Sequence, residues 1–100
     1  MSRPRFTEAA AADYVEAVNW YEAERKGAGI RFTLYVESAL DRIEARPEAF
    51  PVAWSDFRRI LLKVFPYTMI YRVEAGQVVV HAVFHTSQDP SRLRGRLGRA

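Results

Sequence analysis

The chain has no cysteine, which excludes a disulfide scaffold and a thiolate metal site and suits a reducing compartment. It also lacks a long hydrophobic run. The most apolar stretch, Val78 to Phe84, is interrupted by His81 and is far shorter than the ~20 residues a membrane-spanning helix needs, so no membrane partner is expected. Nothing resembles a signal peptide: Met1-Ser-Arg-Pro-Arg leads into a charged amphipathic segment, and a cytoplasmic location is the expectation. Internal repeats and low-complexity stretches are absent. At 100 residues and 49% hydrophobic content, a single domain spanning residues 1–100 can build one core without staples.

Acidic residues are scarce in one half only. Residues 1–50 carry seven Lys/Arg and nine Asp/Glu, whereas residues 51–100 carry eight and three, for a net charge of +3 overall. A basic half of this kind anticipates an anionic partner, either nucleic acid or an acidic peptide; the plainer alternative is a solvated basic tail.

The pattern predicts an α+β fold. Pro4-Arg5-Phe6 reads as a short strand, and Thr7 caps a helix opened by Glu8 and running to Lys26. On that helix Ala10, Tyr14, Ala17, Val18 and Tyr21 share one arc, with Asp13, Glu16 and Asn19 opposite. Gly27-Ala28-Gly29 ends it. A second helix over residues 29–46 repeats Phe32, Val36, Ala39, Leu40 and Ile43 before Pro47 stops it. So short a turn makes the pair an antiparallel hairpin. Residues 47–56 read as an irregular connection whose Phe50 and Trp54 cap the core.

The period then changes to two. Strands are expected over residues 57–64, 67–74 and 77–85, completing with the N-terminal strand an antiparallel sheet. Strict alternation sends Ile60, Leu62, Val64, Met69, Tyr71, Val73, Val78, Val80, Ala82 and Phe84 to the face under the helices. Arg59, Leu61, Lys63, Thr68, Ile70, Arg72, Val79, His81, Val83 and His85 then share a mixed, basic and uncovered face. Residues 86–100 form a basic tail containing Arg92, Arg94, Arg96 and Arg99, with terminal disorder as its default state.

The run Arg58-Arg59-Ile-Leu-Leu-Lys-Val-Phe-Pro-Tyr-Thr-Met-Ile-Tyr-Arg-Val, with Val-Val-Val-His-Ala-Val-Phe-His85 and a polar tail holding Pro90 and Arg92, resembles the ParE/RelE toxin superfamily. The first helix, with Asp13 and Tyr21, and the Pro47 stop agree with it. The resemblance covers nearly the whole chain and implies a type II toxin of the plasmid-stabilisation kind, held in check by a cognate antitoxin. ParE-like members poison DNA gyrase; RelE-like members cut messenger RNA on the ribosome. RelE-like members place lysines after helix two and a Tyr, His or Lys near the carboxyl end. Here residues 47–56 hold no Lys or Arg, and only arginines follow His85, which favours the ParE-like branch.

Candidate site residues follow from both readings. Arg58 and Arg59 are adjacent and point to opposite faces, so Arg59, with Lys63 and Arg72, is the expected cationic groove. Its plain alternative is a solvated sheet edge. With His85, Arg92, Arg94 and Arg96, these residues would contact the target or its phosphates. In the ribonuclease reading His85 is the acid or base, because imidazole changes charge near neutral pH, whereas arginine makes a poor base. His81 and His85 are spaced to share a metal, but no Cys and no acidic residue on that strand completes a set; neither a metal nor another cofactor is expected. Trp20, Ile30 and Leu34 lie on the outer sides of the helices and suit an antitoxin, unless the hairpin connection, Phe50 or Trp54 covers them. A non-toxic binding module with the same fold is the third reading.

Overall fold

The computed structural model describes residues 3–99; Met1 and Ser2, the start of the N-terminal stretch read above, and Ala100 at the end of the tail lie outside them. In chain order the elements are β1 (Arg5–Phe6), α1 (Glu8–Glu24), α2 (Ala28–Ala45), β2 (Val52–Trp54), β3 (Phe57–Leu61), β4 (Tyr67–Glu74), β5 (Gln77–His85) and α3 (Pro90–Leu97). The sheet order is β1-β5-β4-β3-β2. All pairings are antiparallel except that of β1, which runs parallel to β5 through Phe6↔Val80. The expected sheet thus gains a strand, β2, inside the segment read as irregular, and its first strand runs parallel.

Both helices form for the reasons their sequences give. The Thr7 hydroxyl accepts a hydrogen bond from the Ala10 N–H at 3.1 Å, satisfying one orphan donor of the first turn. Gly27 sits at φ +89°, a left-handed backbone that glycine adopts without a Cβ penalty. The N-terminus of α2 lacks a side-chain cap of its own. Glu22 of α1 supplies one, accepting from the N–H groups of Gly27 and Gly29 at 3.0 Å and tying the hairpin shut. Close approach is possible there because residue 29 has no side chain.

The helices bury Ala10, Ala17, Phe32, Val36, Ala39, Leu40 and Ile43 against Ile60, Leu62, Met69, Tyr71, Val80 and Val83. Truncating a fully buried ring such as Phe32 to alanine costs about 3–5 kcal/mol. Tyr71 is buried with its hydroxyl donating to the Pro47 carbonyl at 2.5 Å, which fixes the end of α2 over the sheet.

Strict alternation fails on β5. Ile70 pairs with Ala82, but Tyr71 pairs with Val80, so His81 is an extra residue, a β-bulge. Beyond it the faces exchange: Val83 enters the helix-covered core, while Ala82 and Phe84 turn to the reverse. The expected positions of these three residues are therefore corrected by one inserted residue. Two more core assignments also change. Val73, near the end of β4, is exposed, and Val64 lies past the end of β3, 65% exposed at φ +74°. The Phe65 N–H reaches back to the Lys63 carbonyl at 2.8 Å, so Val64 is the middle residue of a strained γ-turn that lets Leu62 and Phe65 both enter the core.

The reverse face is covered, contrary to expectation. Phe57, Ile70, Ala82 and Leu97 form a second buried cluster with Trp54, Phe84 and Leu93 around it. The arginine-rich end is a helix that supplies two of these leucines. Asp89 accepts from the Ser91 N–H at 2.9 Å as its N-cap, and Pro90 occupies its first turn.

Candidate functional site

Most of the expected basic groove does not assemble. Arg59 faces the reverse side of the sheet beside Ile70 and is exposed. Arg72 shares that side, but its guanidinium lies 4.3 Å over the Phe57 ring and is paired with Glu74 at 3.1 Å and Asp56 at 3.4 Å. Its charge is neutralised at home. Lys63 stands in the turn after β3, and among the described residues no ion pair or hydrogen bond links it to the other two. Arg58 turns to loop carbonyls and donates to that of Phe50 at 2.8 Å.

His81 and His85 are also separated, in role and in face. His81 is buried, packs edge-on against Phe57 at 5.1 Å and sits 2.5 Å from the Glu74 carboxylate. Burial alone would raise the Glu74 pKa; hydrogen bonds from His81 and Arg72 outweigh it and hold the carboxyl below its ordinary value. His85, after the bulge, stands opposite Tyr67 on the helix-covered side, ring centroids 5.3 Å apart. The expectation that it shares a face with Arg59 and Arg72 is thereby overturned. Its Nδ1 accepts from the Ser87 N–H at 3.0 Å, so the remaining ring proton belongs on Nε2. Burial pushes the Tyr67 hydroxyl above the usual tyrosine range, with Tyr21 and Glu16 adding to it, so that neighbour keeps its proton. Among the described residues, no group of three His, Cys, Asp or Glu could hold a metal.

The arginines of α3 divide into two kinds. Arg96 makes a forked pair with Asp13 of α1, at 2.6 and 3.1 Å, and this hydrogen bonding raises its pKa further. Asp13 simultaneously accepts from the Val83 N–H at 3.0 Å, while Arg96 reaches the His81 carbonyl at 3.4 Å. Together they occupy the edge of β5 beyond the short β1, where backbone groups would otherwise be left open. Asp13, expected on the polar face of its helix, is thus a tertiary anchor. Arg92, Arg94 and Arg99 make no ion pair among the described residues. Arg92, Arg96 and Arg99 border a cleft of about 480 Å³ between α3 and the end of β5.

Trp20, Ile30 and Leu34 are 55%, 68% and 63% exposed. Phe50 and Trp54 do not cover them: the first stacks under Arg42 and the second on Phe57. Sequence reasoning missed two features here. Asp89-Pro90 followed by Leu93 and Leu97, a cap and an apolar pair four apart, was a readable helix signal. Asp13 carried none, because its partner lies 83 residues away.

A helical hairpin sealing one face of a mostly antiparallel sheet is the α+β architecture of the ParE/RelE superfamily. Residues 5–90 match the family model for the ParE toxin of type II toxin-antitoxin system, parDE, and the chain belongs to that family. Toxin ParE2 of Mycobacterium tuberculosis, from strains CDC 1551 / Oshkosh and ATCC 25618 / H37Rv, is 27% identical over 86 residues, spanning 85% of this chain and 82% of the relative. A solved structure titled chromosomal ParDE TA system from P. aeruginosa has the same fold, with a TM-score of 0.61 at 15% identity over 85% of this chain and 96% of that one. No helix among the described residues is long and apolar enough to cross a membrane.

Proposed function

We propose that this toxin acts in the cytoplasm by binding and poisoning DNA gyrase, without cutting RNA, and that a cognate antitoxin neutralises it. The choice between targets rests on the His81 bulge. Cleaving RNA requires a proton acceptor and cations around one phosphate. His85 stands half-exposed on the helix side of the sheet beside a protonated Tyr67, Arg59 lies on the opposite face, and Arg72 is held by Glu74 and Asp56. Among the described residues, Arg59 on the sheet and Arg92 and Arg94 on α3 are exposed and make no ion pair. These are the proposed target contacts, and Arg96 serves by holding α3 in place. The antitoxin is assigned to the exposed Trp20, Ile30 and Leu34.

The test adds purified toxin to gyrase with relaxed plasmid and, in parallel, to a translating extract carrying one reporter transcript. The expected result is lost supercoiling with an intact transcript. The Arg92→Gln/Arg94→Gln double variant should remain folded and inhibit about tenfold less, and His85→Ala should inhibit normally. A cut transcript with unimpaired supercoiling would establish the ribonuclease reading, and inactivity in both assays would establish the non-toxic binding module.

A further inference from the structure

We propose that the cleft between α3 and the end of β5 is a docking site for an acidic peptide segment of a partner protein, two of its carboxylates engaging Arg92 and Arg99 around an apolar side chain. This site does not depend on what the toxin poisons. Arg92 and Arg96 are four residues apart on one side of α3, Arg99 follows in the turn after it, and all three border the cleft; Arg94 does not. The central arginine is already neutralised by Asp13, and among the described residues the arginines at either end make no ion pair. Because Gly98 keeps right-handed helical backbone angles after α3, the backbone positions of residues 92 and 99 are about 10 Å apart at the helical rise. Phe84 and Leu93 supply an apolar floor between them.

The chemistry selects a peptide over a polyanion. Asp89 stands exposed at the same cleft, and hydrogen bonds from Ser91, with the Arg92 charge adding to them, hold its carboxyl below the usual carboxylate range. A phosphate backbone, with a charge at every step, would have to pass that carboxylate. A peptide can instead space its acids: two glutamates four residues apart in an extended chain are about 13 Å apart on one side, with the middle residue between them. The flexible arginine side chains span the difference, and each fork matches a carboxylate in two hydrogen bonds.

The probe is the capped pentapeptide Glu-Gly-Phe-Gly-Glu, titrated into the full chain at low salt while backbone amide shifts are followed by NMR. The expected result is saturable shifts confined to residues 84–99. Arg92→Gln and Arg99→Gln should each weaken binding about tenfold, the loss of one charge-assisted pair. Arg94→Gln, on the same helix but off the cleft, should change it less than twofold, and replacing both glutamates by glutamine should abolish it. Equal weakening by all three arginine variants would overturn the site as diffuse charge attraction. Absence of saturation at millimolar peptide would overturn it outright. Stronger competition by a single-stranded oligonucleotide at these amides would replace the peptide with nucleic acid.

Discussion

Removing the Asp13 carboxylate should loosen the toxin's carboxyl-terminal third. Asp13 accepts from the Val83 N–H at 3.0 Å and from both terminal nitrogens of Arg96, and its side chain is only 20% exposed. Hydrogen bonds involving a charged group contribute about 1.5–3 kcal/mol where water is partly excluded. Arg96 is 36% exposed, so its share falls toward the ~1 kcal/mol of a solvent-screened pair. Asp13→Ala is therefore expected to cost about 2–3 kcal/mol. Asp13→Asn, which keeps an oxygen for Val83, is expected to cost about 1 kcal/mol. At a urea slope near ~1 kcal/mol/M, the alanine variant should lower the unfolding midpoint by roughly 2 M. A cycle with Arg96→Ala should give a coupling of about 1 kcal/mol. The loss should also be local. An eight-residue helix is well below the ~12–15 residues that hold together alone, so amides of residues 91–97 should exchange faster than those of α2. A midpoint within about 0.3 M of wild type would refute the anchor, as would strictly additive single variants.

Gly29→Ala would place a Cβ 2.9 Å from the Val18 carbonyl oxygen and 3.0 Å from the Glu22 carboxylate, so the hairpin must open; a loss of about 1–3 kcal/mol in urea unfolding is expected. An unchanged midpoint would show that the helices do not meet this closely. The folded pKa of Glu74 lies below its unfolded value of 4.5. Its contribution is fully present above pH 4.5 and disappears as pH falls through the lower folded value. Glu74→Gln should therefore be less stable than wild type at pH 7 and converge with it in acid. Parallel curves from pH 7 to pH 3 would count against the Glu74-His81-Arg72 network.

Some of this was legible in the chain and some was not, for physical reasons. Both helices announce themselves because cap, period and stop agree: Thr7 and Glu8, then the three-and-four spacing from Phe32 to Ile43, then Pro47. The short β2 was hidden because Val52 and Ala53 are exposed and Pro51 precedes them, leaving no alternation to detect. The bulge was hidden because Val78–Phe84 is apolar on both sides apart from His81. A strand buried on both faces has no polar residue to mark its phase. Charge gave the opposite difficulty. Arg72 and Arg96 look identical in sequence to Arg59 and Arg94, but the first two are committed to carboxylates brought near only by the fold.

That phase decides what the residues can do together. If β5 alternated strictly, His85 would share a face with Arg59 and Arg72, and a proton acceptor would stand among cations, as phosphate cleavage requires. With His81 inserted, the same side chains fall on opposite sides of a sheet whose reverse is itself packed by Leu93 and Leu97. The bulge is also held from outside the strand. Glu74 binds the His81 ring, Arg96 meets its carbonyl, and Asp13 takes the Val83 N–H just beyond. A register supported from β4, α1 and α3 at once does not slip easily. The network that holds His85 on the other face from Arg59 and Arg72 is therefore the one that seats the arginine helix, so the phase of β5 and the placing of α3 have a common structural cause.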